Sequence, residues 1–198
     1  GGNYNVLVGE EAGTAITTGD NNVALGYKAL FTEDTGSRSV AIGDFALQVQ
    51  NNDGSNYNTA VGYAAGIAVT TGIQNTIVGG IAGDALTEGG YNVALGQTAL
   101  GADTLGSKSV ALGGYTLATQ NYTTATDTYN VAVGHLAGYA ITTGGNNTLI
   151  GGLSGDSITT GNRNVAVGYS TLSTDTLGDR NVAIGVNALY AQNFTTST

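Results

Sequence analysis

The chain has 198 residues, of which 33 are Gly and none is Pro, Cys, Met or Trp; 41 % are hydrophobic, 10 % are charged, and the formal net charge is −9. That hydrophobic share argues against disorder, the lack of proline and of a G-X-Y period excludes collagen, and zero cysteine excludes disulfides and thiolate metal sites. The basic residues are Lys28, Arg38, Lys108, Arg163 and Arg180 alone, too few for a nucleic-acid surface, and no apolar run reaches the roughly 18–20 residues of a membrane helix.

Taken in chain order, the predicted elements are copies of one phrase: polar, Val or Thr, small or aliphatic, aliphatic, Gly. It occupies 5–9, 22–26, 39–43, 58–62, 75–79, 92–96, 109–113, 130–134, 147–151, 164–168 and 181–185. The closing glycines stand 17 residues apart, except that Gly43 to Gly62 is 19 and Gly113 to Gly134 is 21. A second period of four rungs lies on top, since Gly9 to Gly79 is 70 and Gly79 to Gly151 is 72. Rungs therefore fall into four types, counted from Asn5. The chain begins at Gly1 without Met or a signal-peptide pattern, which reads as a processed chain or a piece of a longer one.

The alternation within each phrase predicts a β-strand. Its second and fourth positions share one face, and the middle position takes the other. The middle position is Leu7, Ala24, Ala41, Ala60, Ile77, Ala94, Ala111, Ala132, Leu149, Ala166 and Ala183. Both faces are thus apolar, and such a strand is normally covered on both. One face fills the interior; the stripe of middle positions is expected to meet a partner as an oligomer interface.

A second apolar spot follows each glycine. In the second and third types it is a Leu four residues on (Leu30, Leu47, Leu100, Leu117, Leu172, Leu189). In the first and fourth types that place is Gly, and an aliphatic stands three residues later (Ile16, Val69, Leu86, Ile141, Ile158). These residues predict a second short strand per turn, with Gly- and Asn-rich corners between. One rung buries too little to fold alone, so the rungs must stack. The fold class expected is all-β: a parallel β-solenoid of about eleven rungs, one repeat domain over residues 1–198, on the order of 50 Å long at about 4.8 Å per rung.

The phrases at 22–26, 39–43 and 181–185, and the stretch 160–169, resemble the head repeats of trimeric autotransporter adhesins and the similar repeats of phage tail fibres. The resemblance covers essentially the whole chain. It implies a left-handed parallel β-roll, a homotrimer whose inter-subunit core is the second apolar face, and service in attachment at a cell surface or virion. The rungs are longer than the commonest adhesin-head repeat.

Third-type rungs carry the long loops, 44–57, 114–129 and 186 onward. Insertions in solenoids often mark the binding face. Asn51, Asn52, Asp53, Tyr57, Asn121, Tyr122, Asp127 and Tyr129 are the binding candidates there, because amides, acids and aromatics together suit glycans; solvated turns have the same composition. Tyrosines also precede the phrase (Tyr4, Tyr57, Tyr91, Tyr129) or follow its glycine (Tyr27, Tyr63, Tyr169, with His135 in that place once). A stacked aromatic edge could hold sugars, or simply cover the rod. Second-type turns place Glu33, Asp103 and Asp175 five residues before Arg38, Lys108 and Arg180, a spacing expected to give weak pairs that control register.

Other chemistry finds little support. The Gly-rich turns at Asp84 and Asp156 lack the closely spaced aspartates of calcium-binding repeats, and His135 is the only histidine, so neither metal nor cofactor is expected. Thr pairs such as Thr17-Thr18 and Thr70-Thr71 occur only in first- and fourth-type rungs, short of the array that ice binding needs. No catalytic constellation recurs, so no enzyme is expected. The reading is a structural and adhesive fibre segment whose partners are further copies of itself and a cell-surface glycan or protein receptor. A self-polymerising extracellular filament and a glycan-cleaving tailspike, for which paired carboxylates suffice, are the alternatives.

Overall fold

Parallel strands that follow one another at a fixed step can pair only if each intervening segment returns to the same edge, and eleven do so here. The structure, a computed structural model, describes residues 2–194; the rest of the 1–198 domain lies outside them. One sheet joins β1 (Val6–Val8), β2 (Val23–Leu25), β3 (Val40–Ile42), β4 (Thr59–Val61), β5 (Thr76–Val78), β6 (Val93–Leu95), β8 (Val110–Leu112), β10 (Val131–Val133), β11 (Thr148–Ile150), β12 (Val165–Val167) and β13 (Val182–Ile184) in that order. Between them, β7 (Gly106–Ser107) and β9 (Thr126–Asp127) form a separate two-stranded pair. Every pairing is parallel and in register, with Val23 opposite Val40 and Ala94 opposite Ala111. The chain is a parallel β-solenoid of about eleven turns, and no helix occurs among the described residues.

The expected second strand per turn does not form. Residues after the glycine adopt left-handed backbone at two places per rung, as at Lys28 (φ 53°) and Leu30 (φ 51°), which breaks strand geometry. Rung-to-rung hydrogen bonds nevertheless continue there, for example from Leu30 N to Ala46 O and from Thr17 N to Asp34 O.

The closing glycine of each phrase is required on two counts. At Gly79 φ is 137°, and an added Cβ would stand 2.5 Å from the Gly96 carbonyl oxygen of the next rung. A side chain there would hold the rungs apart.

The two faces of the strand lie opposite to the expected arrangement. The stripe assigned to an oligomer interface is the chain's own core: Ala24, Ala41, Ala60, Ile77, Ala94, Ala111, Ala132, Leu149 and Ala166 are 0 % exposed and Ala183 is 2 %. Only Leu7, on the first rung, is open. The reason is size. A 17-residue turn encloses a narrow interior, and Leu at the position four beyond the glycine already fills it in second- and third-type rungs. Only a methyl group fits opposite. In first-type rungs that position is Gly, so Ile77 or Leu149 can take the space; an added Cβ on Gly155 would meet Leu149 Cδ2 at 2.8 Å and Ile158 Cδ1 at 2.9 Å. The second and fourth strand positions instead point outward. Val6, Val8, Leu25, Leu95, Ile150, Val182 and Ile184 are exposed, and Val40, Ile42, Val110 and Val131 are half-buried.

The first position of the phrase forms an internal amide ladder. Asn75 Nδ2 donates to Gly89 O at 2.9 Å, and its Oδ1 accepts from Asn92 N at 2.9 Å. The same pair of bonds recurs at Asn22, Asn58, Asn92, Asn130, Asn147 and Asn164. A polar column inside a roll is tolerable only when both ends of each amide are satisfied, and here each amide also ties one rung to the next.

Candidate functional site

The four-rung period has a chemical basis inside the roll. Where first- and fourth-type rungs carry an aliphatic seven residues beyond the glycine, second types carry Glu33, Asp103 and Asp175, and third types carry Gln50, Gln120 and Gln192. Gln50 Nε2 donates to Glu33 Oε2 at 2.8 Å and to Ser39 Oγ at 2.8 Å, and Asn58 Nδ2 donates to Gln50 Oε1 at 2.8 Å. One period later Gln120 Nε2 donates to Asp103 Oδ2 at 2.5 Å and to Ser109 Oγ at 2.9 Å, and Asn130 Nδ2 donates to Gln120 Oε1 at 2.8 Å. Gln192 bonds Asp175 at 3.2 Å and Asn181 at 3.0 Å in the third copy. Apolar core thus alternates with buried polar nodes.

These nodes correct the expected acid–base pairs. Glu33, Asp103 and Asp175 are 0 % exposed and are held by glutamine, not by Arg38, Lys108 or Arg180. Burial pushes the Glu33 and Asp103 carboxyls above the usual carboxylate range, against the opposing hydrogen bonds from Gln50 and Gln120. The basic residues face outward: Arg38 Nη1 donates to Ser55 Oγ, and Lys108 pairs with Asp127 at 2.6 Å.

The third-type loops fold back onto the preceding rung. The first does so through a parallel bridge between Ser37 and Ser55, the second through β7 and β9. In the first loop Asn51, Asp53 and Tyr57 are exposed; Asn52 is half-buried, and its Nδ2 donates to Asn56 Oδ1 at 2.8 Å. Thr35 Oγ1 donates to Asp53, and the Arg38 guanidinium lies 5.6 Å from the Tyr57 ring centroid. Asn56 turns inward to Glu33 Oε2 at 2.9 Å.

In the second loop Asn121 is exposed and accepts from Thr104 Oγ1 at 3.1 Å. Lys108 Nζ reaches Asp127 Oδ2 at 2.6 Å and Tyr129 Oη at 3.3 Å, and stands 5.3 Å from the Tyr129 centroid. The bond from Lys108 holds the Asp127 carboxyl below its usual range. Tyr122 does not belong to this surface. It is 8 % exposed, its hydroxyl donates to Gly144 O at 2.8 Å, and burial with the nearby Asp103 charge pushes it up to about 12. It is an interior plug for the longer loop. The candidates therefore group within each loop, and the two loops stand four rungs apart, about 19 Å along the rod.

Aromatic residues beyond the glycine interlock edge to face: Tyr27 with Phe45 at 5.3 Å, Phe45 with Tyr63 at 5.9 Å, and Tyr115 with His135 at 6.1 Å. The threonines serve register. Thr70, Thr87, Thr142 and Thr159 each donate a hydroxyl hydrogen to the carbonyl one rung on. Asp84 and Asp156 are half-buried, with burial raising both carboxyls, and Asp156 Oδ1 has no partner. Among the described residues no three His, Cys, Asp or Glu side chains cluster to hold a metal, and no helix is long and apolar enough to cross a membrane.

Comparison with protein-family models, with curated proteins and with solved structures returns no match for this chain.

Proposed function

We propose that the chain is a structural and adhesive segment of an extracellular or viral attachment fibre, assembled as a homotrimer and binding host or surface glycans through the third-type loops. The observation that carries this reading is the outward face of the eleven-stranded sheet. Its two columns, Val or Thr beside Val, Leu or Ile, are apolar in eight rungs and carry a Thr hydroxyl only at Thr59, Thr76 and Thr148, and they are half-buried or exposed in a single chain. A parallel sheet is normally covered on both faces, and a face with the same composition in eleven successive rungs suits a partner with the same repeat, a second and third copy of this chain. The resemblance to adhesin-head and tail-fibre repeats supports the same assembly. The interface assigned is this Val and aliphatic face, in place of the alanine stripe.

The loops at 51–57 and 121–129 lie against the preceding rung and leave Asn51, Asp53, Tyr57, Asn121, Asp127 and Tyr129 exposed. These are hydrogen-bonding and stacking groups of the kind sugars use. The test of the loops is the double substitution Asn51→Ala with Asn121→Ala, read as adhesion to glycan-bearing cells. Loss of adhesion supports the assignment, and unchanged adhesion removes it. The test of the assembly is the solution mass.

A further inference from the structure

One column of the rod has a composition unlike the rest. The residue just before each ladder position, from Tyr4 to Arg180, holds a left-handed backbone with φ between 52° and 65°. Glycine adopts that conformation at no steric cost, and this chain uses Gly for the left-handed position four beyond the phrase in five rungs. It never does so here. The column carries Tyr four times, Arg or Lys four times, and Asn or Gln in the remaining rungs, with no acid and no aliphatic. Four of the chain's five basic residues lie on it, in a protein of net charge −9. The position two beyond the closing glycine is equally left-handed in every rung and accepts Glu11, Ala64, Ile81 and Leu153, so the conformation itself selects no side-chain chemistry, and it is the restriction of this column to aromatic, cationic and amide residues that points to use of those side chains.

Over six consecutive rungs the order is Arg38, Tyr57, Gln74, Tyr91, Lys108, Tyr129. The three rings stand on alternate rungs, about 9.6 Å apart, close to the length of a disaccharide. Tyr57 is 53 % exposed, and Tyr91 and Tyr129 are each 51 % exposed. Arg38 and Lys108 flank them, 5.6 and 5.3 Å from the Tyr57 and Tyr129 centroids. Lys108 is engaged by Asp127 and by the Tyr129 hydroxyl, but an ammonium has a third donor and an exposed pair of this kind is weak.

We propose that this track binds an extended acidic polysaccharide laid along the rod, with sugar faces stacked on the tyrosines and carboxylates or sulfates met by Arg38 and Lys108. Resting on the reading of the chain as a glycan-attachment segment, this deepens it by naming the glycan class and by adding Arg38, Gln74, Tyr91 and Lys108 to the loop residues. A nucleic acid, with a charge on every nucleotide, needs denser cations than one per several rungs and would be repelled by the acidic remainder.

The test is binding of the intact chain to polygalacturonate, alginate and chondroitin sulfate, with carboxyl-reduced polygalacturonate and oligothymidylate as controls. Two variants are built from residues the column already tolerates: Tyr57→Asn with Tyr91→Asn and Tyr129→Asn, since Asn stands there at Asn21 and Asn146, and Arg38→Gln with Lys108→Gln, since Gln74 stands between them. The expected result is salt-sensitive binding to at least one acidic glycan, absent for the carboxyl-reduced polymer, and a rise in Kd of about tenfold or more in each variant. Circular dichroism and solution mass should be unchanged. Failure of the wild-type chain to bind all three acidic glycans, binding indifferent to both variants, or preference for oligothymidylate would overturn the proposal. A trimeric mass alongside such a failure would leave the attachment-fibre reading standing, so the two ideas fail separately.

Discussion

Asn75→Ala removes one rung of the amide ladder and nothing else. The side chain is 0 % exposed, its Nδ2 holds Gly89 O at 2.9 Å, and its Oδ1 receives Asn92 N at 2.9 Å. Truncation strands one buried carbonyl and one buried amide, both on the next turn. Each unsatisfied group costs about 1–3 kcal/mol, so the expected loss is about 2–6 kcal/mol, at the lower end if a water enters the gap. Urea denaturation followed by circular dichroism reads the shift as a lower midpoint at unchanged slope. The exposed neighbour Gln74→Asn is the control, since Asn already occupies that column. A second variant, Asn75→Asp, keeps the acceptor for Asn92 N but aims a carboxylate oxygen at Gly89 O; its destabilisation should grow as pH rises through the carboxylate range. An unfolding free energy for Asn75→Ala within about 1 kcal/mol of the control would refute the ladder as a source of stability.

Other outcomes follow from the same geometry. Because burial raises the Glu33 and Asp103 carboxyls in the folded state, the native chain holds those protons at a pH where the unfolded chain has released them; stability should therefore rise as pH falls from neutral towards the ordinary carboxylate value of about 4. Thermal melts between those limits should show the rise, and Glu33→Gln with Asp103→Asn should reduce it, leaving the part that Asp84 and Asp156, also raised by burial, supply; a profile that falls on acidification in the parent and is untouched in the double variant contradicts the nodes. Gly155→Ala places a methyl within 2.8 Å of Leu149 Cδ2 at φ 59°, and should cost about 1–3 kcal/mol in the same urea assay. Ala94→Leu overpacks a 0 % exposed interior site and should lower the melting temperature, whereas Val110→Lys on the half-buried outer face should leave the monomer fold intact and lower the solution mass.

The repeat, the parallel pairing and the eleven rungs were legible because a fixed step of 17 with an alternating phrase admits few other structures. Which strand face points inward was not. Val and Ile are larger than Ala, and the size of a buried group ordinarily argues for the interior; only the narrow bore, already filled by Leu30 or Leu100, reverses the choice. A large middle residue, Leu7, Ile77 or Leu149, occurs only where Gly replaces Leu four beyond the phrase, although fourth-type rungs pair that Gly with Ala60 or Ala132; this one-way coupling was visible in the sequence and was the signal that could have fixed it. Glu33 and Asp103 misled because acids five residues before a base suggest a surface pair. The recurring Gln50, Gln120 and Gln192 exactly one rung later in the same place, hydrogen-bonding them inside the roll, were the missed clue. Tyr122 was indistinguishable from a surface tyrosine until the extra length of the second loop was seen to fold it under Gly144.

Light scattering after size exclusion decides whether the outer Val and aliphatic face is covered by further copies of the chain. The expected mass is three times 19.7 kDa, about 59 kDa, falling to a single chain in Val110→Lys with the β spectrum retained. A parent chain that runs as a stable monomer would contradict it, and a very large polydisperse mass would replace the trimer with end-to-end polymerisation.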